Sequence, residues 1–434
     1  IRRNLIRHGL NKGIIGLPQN LFYGTGIPAC IIVVDKENAS ARTGIFMIDA
    51  SRGFEKDGNK NRLRSQDIRK IVDVFNNQIE VPRYSRMVPV SEIASGANDY
   101  NLNIPRYIDS SEPEDLHDLD AHLNGGIPVR DVDALQPYWS VFPTLREALF
   151  RSNGRPGYLE PKVEPAQVKP TILAHAEFAA YAGRVAAVFD EWRAAHEPRL
   201  KGLDVGAKPR EVIHALSEDL LARFADLPLL NNYDVYQCLM DYWTGTMQDD
   251  VDLIAADGWV EGTKPRGIVE DKAKKIKETP DLNIGRQKYK MDLIPPALIV
   301  SRYFAAEEAA IEELAARQET AARELEEFVE EHTGEEGLLE DAVNEKGNVT
   351  RAAVNARLRE IGRNPEFAEE RDALTRVVAL IEAEAGAKKA VKEAQASLDK
   401  RVLARYATLT EDEIKTLVVE DKWFASIRAA IEGE

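Results

Sequence analysis

Gly24-Thr25-Gly26 is the first string in the chain that could do chemistry, since closely spaced glycines let backbone N–H groups approach a phosphate. It has no third glycine, however, and it leads into the apolar run 29–35, where a phosphate loop should open a helix. Asp249-Asp250, with Asp252 nearby, offers oxygens to a hard cation, but a helix end followed by Gly258 explains the same residues as a solvated turn. The seven histidines are scattered, and none stands with Cys or Ser in a nucleophile arrangement. G-x-S-x-G, G-x-x-x-x-G-K-[ST] and H-E-x-x-H strings are absent. Cys30 and Cys238 lie in apolar surroundings without zinc spacing, and both read as small core residues of a protein in a reducing, cytoplasmic setting. The residues alone predict no metal and no catalytic group.

Cations gather in two places. One patch runs from Arg52 to Lys70; the other runs from Lys264 to Lys290 through Arg266, Lys272, Lys274, Lys275, Lys277, Arg286 and Lys288. Within the first, Lys56, Lys60, Arg62 and Arg64 occupy a loop loosened by Gly53, Gly58 and two asparagines, just beyond a strand. Ligands approach α/β proteins at such loops, so the four are expected to touch phosphates without reading bases. A solvated basic face is the competing expectation. Phe22 and Tyr23, with Thr25, sit in a glycine-bounded loop before a strand, where an aromatic either plugs the core or lines a pocket.

The elements that would position these groups are first α/β and then mainly α. An amphipathic helix is predicted over 2–12, a brief strand at 14–17, and buried strands at 29–35 and 43–49. The run 29–35 has the composition of a strand covered on both faces, and it should pair with 43–49 as a hairpin across the polar turn 38–42. The spacing of Ile68, Ile71, Val72 and Phe75 predicts a helix over 65–78, followed by short extended pieces at 88–93 and 101–104. Residues 110–170 are rich in Pro and Gly, with helical pieces at 115–123 and 129–139. Helices are predicted over 172–192, 209–224 and 233–247, and 262–290 reads as an exposed loop or long hairpin. Beyond Pro295-Pro296, Ile311, Leu314, Gln318, Ala321, Leu325 and Phe328 form a heptad-like seam in a stretch that holds 13 Glu and two Lys/Arg between Glu307 and Glu340. A second periodic stretch carries Leu374, Val378, Ile381, Val391, Leu398 and Val402, so the two should form an antiparallel pair. Thr410-Glu411-Asp412-Glu413 is a capping box for a final helix docked by Trp423 and Phe424.

With 44% hydrophobic and 30% charged residues in 434, the chain is neither disordered, collagen-like nor a disulfide-stapled miniprotein. Its longest aliphatic run, Ile31 to Val34, falls far short of the roughly 20 residues of a membrane helix. The net charge of −16 is a gradient: +5 over residues 1–109, −9 over 110–296 and −12 over 297–434. Polyphosphate would be repelled unless the cations share one face. The opening run, Ile1 onward without an initiator Met, reads as the middle of a fold, so a preceding portion is expected.

Several separated strings carry a resemblance. Leu17-Pro18-Gln19-Asn20-Leu21-Phe22-Tyr23-Gly24-Thr25-Gly26-Ile27-Pro28 leads into the strand at 29–34; Ile45-Phe46-Met47-Ile48-Asp49-Ala50-Ser51 precedes the basic loop; Asn101-Leu102-Asn103-Ile104-Pro105-Arg106-Tyr107 follows. Together they resemble the modification (M) subunit of type I restriction–modification systems, the N6-adenine DNA methyltransferases. The stretches from Asp234 to Asp250 and from Leu417 to Trp423 look like the rest of that subunit. The resemblance implies site-specific methylation of adenine N6 in double-stranded DNA from S-adenosylmethionine, in a multisubunit complex with a specificity (S) subunit and a possible restriction (R) subunit. It also implies that the cofactor loop and the Asn/Asp-Pro-Pro-Phe/Tyr tetrapeptide, which holds the extruded adenine, lie upstream of Ile1. Pro295-Pro296 follows Ile294 and is no such tetrapeptide. No catalytic residue is therefore expected in this chain, which alone should be inactive. By resemblance, residues 1–109 are the C-terminal part of a Rossmann-like methyltransferase sheet whose Phe22–Tyr23 loop lies beside the flipped base. Residues 110–168 connect, 169–300 form a helical domain, and 301–434 form a coiled-coil-like arm that would meet the S subunit through Ile311, Leu314, Leu325 and Phe328. The rival expectation is a non-catalytic helical module that binds partner subunits.

Overall fold

The computed structural model describes residues 1–111, 116–268, 278–334, 337–344 and 346–434. They divide into two compact units, one of residues 1–200, 208–249 and 424–434, the other of 201–207 and 250–423. The expected boundaries at 109, 168 and 300 differ from this division. The chain is mixed α/β, with helix predominating in its later two thirds.

The first unit is built on strands β1 (Asn11–Gly16), β2 (Cys30–Val34), β3 (Gly44–Asp49) and β6 (Ser85–Pro89), in the order β2-β1-β3-β6. Between β3 and β6 lie a hairpin, β4 (Glu55–Asp57) and β5 (Lys60–Arg62), and helix α2 (Ser65–Asn77). β1 runs parallel to β3 and antiparallel to β2, and β6 runs antiparallel to β3. The hairpin expected between 29–35 and 43–49 therefore does not form, because β1 lies between them. Alternation along β1 and β3 sends Ile14, Ile45 and Met47 to one face with Val88 and Ile93, and Ile15, Phe46 and Ile48 to the other with Ile71 and Val74 of α2. Every residue of β3 is buried. Gly13 has to be a glycine here, since a Cβ would meet the Phe75 ring at 2.4 Å and the Phe46 carbonyl oxygen at 2.8 Å.

Other expectations shift. The opening helix, α1 (Arg2–Arg7), stops early because Asn11 and Lys12 enter β1. β2 is an edge strand, and Cys30, Ile31, Ile32 and Val34 are exposed instead of covered on both faces. Cys30 is thus no core residue, whereas Cys238 is buried, and burial, then the Glu434 carboxylate, pushes its thiol up to about 12. Residues 90–93 turn helical directly after β6, and a single 3₁₀ turn forms at Ile104–Arg106. The predicted helix at 115–123 is observed as Leu119–Asn124, with residue 115 outside the described residues. The rest of this unit holds a small three-stranded sheet, of Ile127–Pro128, Phe150–Ser152 and Tyr158–Pro161, and helices that include α3 (Ala176–Lys201), α4 (Pro209–Arg223) and α5 (Asn232–Tyr242). Phe424 closes against Phe189 and Trp192, edge to face, with ring centroids 6.4 and 5.6 Å away.

The second unit holds α6 (Ala305–His332), α7 (Arg351–Ile361) and α8 (Ala368–Tyr406). α6 and α8 pack antiparallel: Glu307 near the start of α6 pairs with Arg401 near the end of α8 at 2.7 Å, while Leu325 and Phe328 near the end of α6 join a cluster with Leu374 and Val377 of α8. The expected capping box is present, with Glu413 N donating to Thr410 Oγ1 and Thr410 N to Glu413 Oε2. Asp250 is no solvated turn. It is buried, accepts Lys422 Nζ at 2.6 and 2.8 Å and Trp423 Nε1 at 2.8 Å, and Lys422 also donates to the Leu293 carbonyl oxygen. The basic stretch forms a small sheet of Arg266–Gly267, Leu282–Ile284 and Gln287–Lys290. Its Arg266 is held by Glu278 and Asp292 and its Lys290 by Asp281, while Lys272, Lys274, Lys275 and Lys277 fall outside the described residues.

Candidate functional site

Because β1 and β3 are parallel, the chain leaves both at the same edge of the sheet. β1 opens there into the loop through Phe22, Tyr23 and Thr25; β3 opens into the β4–β5 hairpin. Carboxyl ends of parallel strands are where α/β folds present ligand-binding groups. The loop's ends are tied by Leu17 N donating to the Ala29 carbonyl oxygen at 2.9 Å. Its middle is tied to the hairpin through buried Asn61, which donates its backbone N–H to the Asn20 carbonyl oxygen at 3.0 Å and its side-chain amide to that of Gln19 at 2.8 Å. The Asn61 amide oxygen meets no donor among the described residues.

Those ties hold the loop against the hairpin while leaving its aromatics outside. Tyr23 is 90% exposed and Phe22 53%, so neither plugs the core. Thr25 is exposed and accepts the Ile27 N–H at 3.2 Å, stabilising the turn. The Lys60 ammonium lies over the Tyr23 ring, a cation–π contact that joins one aromatic candidate to one cationic candidate.

The four cations expected to meet phosphate are arranged unevenly. The region from Arg52 to Asn61, read as a loose loop, is largely an ordered hairpin that turns at Gly58, whose φ of +59° favours glycine. Lys56 is exposed, Arg62 pairs with Glu55 across the strands at 2.6 Å, and Asp57 faces Lys60 in the register. Arg64 lies at the start of α2 and grips Asp67 with two nitrogens at 2.9 and 3.0 Å, which raises the guanidinium's already high pKa. The hairpin's positive field is thus partly cancelled by its own carboxylates.

The four seam residues lie in the other unit. Ile311, Leu314, Leu325 and Phe328 all fall on α6 and all are half-buried; no described residue of that helix is fully buried. Sequence reading missed a further polar group beside β3: Asp49, whose carboxylate accepts the Ser110 hydroxyl at 2.6 Å and the Ser51 N–H at 3.1 Å. A carboxylate ending a buried strand was its only signal.

Comparisons with known proteins bear on this same edge. The N-6 DNA Methylase family model matches residues 1–116. The methylase subunit of the type I restriction enzyme MjaVII of Methanocaldococcus jannaschii is 37% identical over 127 residues, 28% of this chain and 22% of that protein. The MpnII methylase subunit of Mycoplasma pneumoniae is 35% identical over 117 residues, 27% of this chain and 21% of that protein. A crystal structure of a type I restriction-modification methyltransferase subunit from Streptococcus thermophilus shares 36% identity, covering 26% of this chain and 23% of that one with a TM-score of 0.24. The match to the curated relatives thus spans about a fifth of their length. The stretches around Asp234 to Asp250 and Leu417 to Trp423 lie outside the segment matched by the family model. Residues 1–116, which build the sheet and both of its edge loops, match the N-6 DNA Methylase family model and are similar to the type I methylase subunits.

Proposed function

We propose that this chain supplies part of the modification subunit of a type I restriction–modification system. Complete and assembled with its specificity subunit, that subunit would transfer a methyl group from S-adenosylmethionine to adenine N6 in double-stranded DNA. The observation that carries the reading is the family match over the residues that build the sheet edge bearing Phe22 and Tyr23. A base taken out of the duplex needs aromatic surface to stack on, and two exposed aromatics beside cations offer it. The cofactor is another matter. Gly24-Thr25-Gly26 runs into an edge strand and opens no helix, so it does not fit S-adenosylmethionine, and the sequence holds no Asn/Asp-Pro-Pro-Phe/Tyr string to hold the adenine. The 434 residues alone are inactive in this reading.

The test joins this chain to the upstream sequence of its gene, co-expresses the product with the neighbouring specificity subunit, and follows tritium from S-adenosylmethionine into duplex DNA. Transfer is expected from the assembled protein and none from the 434-residue chain. Tyr23→Ala should lower transfer at least tenfold with an unchanged melting temperature. An assembled complex that transfers nothing would overturn the reading.

The half-buried seam of α6 favours a second role alongside it. A helix with so many glutamates is weakened by like charges at i, i+4 and gains from a partner that covers its apolar stripe. The α6–α8 pair is the part we assign to subunit assembly.

A further inference from the structure

Beside the aromatic loop, at the same edge of the sheet, lies a cleft of about 420 Å³. It is lined by Asp49 at the end of β3 and the following Ala50, by Arg83-Tyr84 before β6, by Lys70 and the first turn of α2, and by the start of α5. Cations and carboxylates line it together, so the hydrogen bonds decide which sign of ligand it suits.

The carboxylates are occupied. Asp67 accepts the backbone N–H and two guanidinium nitrogens of Arg64, Asp234 accepts the Gln66 side-chain amide at 2.9 Å, and Asp49 accepts Ser110 and Ser51. Lys70 is different. Its ammonium lies 4.3 Å from the centroid of the Tyr84 ring, is half-buried, and has no carboxylate within ion-pair distance among the described residues. Burial lowers its pKa, against the weaker pull of Asp234 and Asp67. Arg52 and Arg83 line the same space; the Arg83 guanidinium donates to the Ser111 carbonyl oxygen, and the Asp109 carboxylate feels both arginines. A cation entering the cleft would have to displace existing donors from each carboxylate. An anion would meet Lys70 directly and could add a forked contact from arginine.

We propose that this cleft is a phosphate-binding site in which Lys70 is the central ligand, flanked by Arg52 and Arg83. The anion is a phosphate ester, either a backbone phosphate of a DNA strand or the phosphate of a free mononucleotide. A methyl-transfer role for the protein is not required.

The test uses the 434-residue chain with three probes: inorganic phosphate, AMP, and a fluorescent 20-base-pair duplex titrated at several salt concentrations. If the site serves a DNA strand, the duplex binds, and Lys70→Gln weakens it at least threefold while flattening the slope of log K against log salt by about one. If it serves a free nucleotide, AMP or inorganic phosphate binds the wild type, and Lys70→Gln weakens that binding at least threefold. Lys70→Arg should restore either activity, and unchanged circular-dichroism melting of both variants separates loss of binding from loss of fold. The proposal is overturned if none of the probes binds the wild type, or if Lys70→Gln binds all of them with wild-type affinity and salt slope.

Discussion

Two lysines show how little a residue's type says about its work. Lys60 rests on the exposed Tyr23 ring, where a cation–π contact is worth roughly 0.5–1 kcal/mol. Removing Tyr23 should therefore disturb binding far more than folding. Lys422 is the opposite case, fully engaged by Asp250 and the Leu293 carbonyl oxygen inside the second unit. Breaking a buried pair strands the surviving charge, which costs about 3–5 kcal/mol. Lys422→Met should accordingly lower the unfolding free energy by that order in urea titration, and the double variant Lys422→Met with Asp250→Leu should recover much of it. A single-variant loss below about 1 kcal/mol would mean that water reaches Asp250. The partners lie 172 positions apart, so nothing local in the sequence pairs them.

Elements were legible where one local rule governs them. α2 begins at Ser65 as its apolar spacing requires and ends when Gln78 adopts a left-handed conformation; the Thr410 cap likewise follows from four adjacent residues. The strands were legible as strands but not in their order. Cys30–Val34 and Gly44–Asp49 both carry continuous apolar runs, yet one is an edge and the other is buried throughout, because the difference lies in which neighbours each strand acquires. The site was readable in the same measure: its aromatic loop and cations were visible as strings, but the carboxylates that neutralise Arg62 and Arg64 and the ties through Asn61 arise only on folding. The long helices belong to this scale too. At 1.5 Å per residue, the 28-residue α6 is about 42 Å long and the 39-residue α8 about 58 Å. Replacing residues 318–387 by a short Gly/Ser turn shortens both helices and keeps the Glu307–Arg401 end. In the assembly proposed above, co-purification with a specificity subunit should then be lost. Retention at normal yield would move the docking surface elsewhere.

For the molecule as a whole, the charge gradient separates two chemistries. The family-matched segment carries a positive excess and the later segments are acidic overall, so nucleic-acid contact by this segment would draw on its own cations. The exposed strand β2 has a different consequence, a colloidal one. Its outer backbone edge meets no strand among the described residues, and Ile31, Ile32 and Val34 are exposed along a segment with no proline and no charge. Proteins usually protect such edges with lysine, proline or a bulge, and here a register shift interrupts the pairing with β1 only at the Val33-Val34 end. Purified as 434 residues, the chain should therefore self-associate as its concentration rises, growing by edge-to-edge stacking. Ile32→Lys should raise the concentration at which light scattering departs from that of a monomer, with no change in melting temperature, whereas the same substitution at exposed Leu123, remote from the strand, should leave the onset of turbidity where it was.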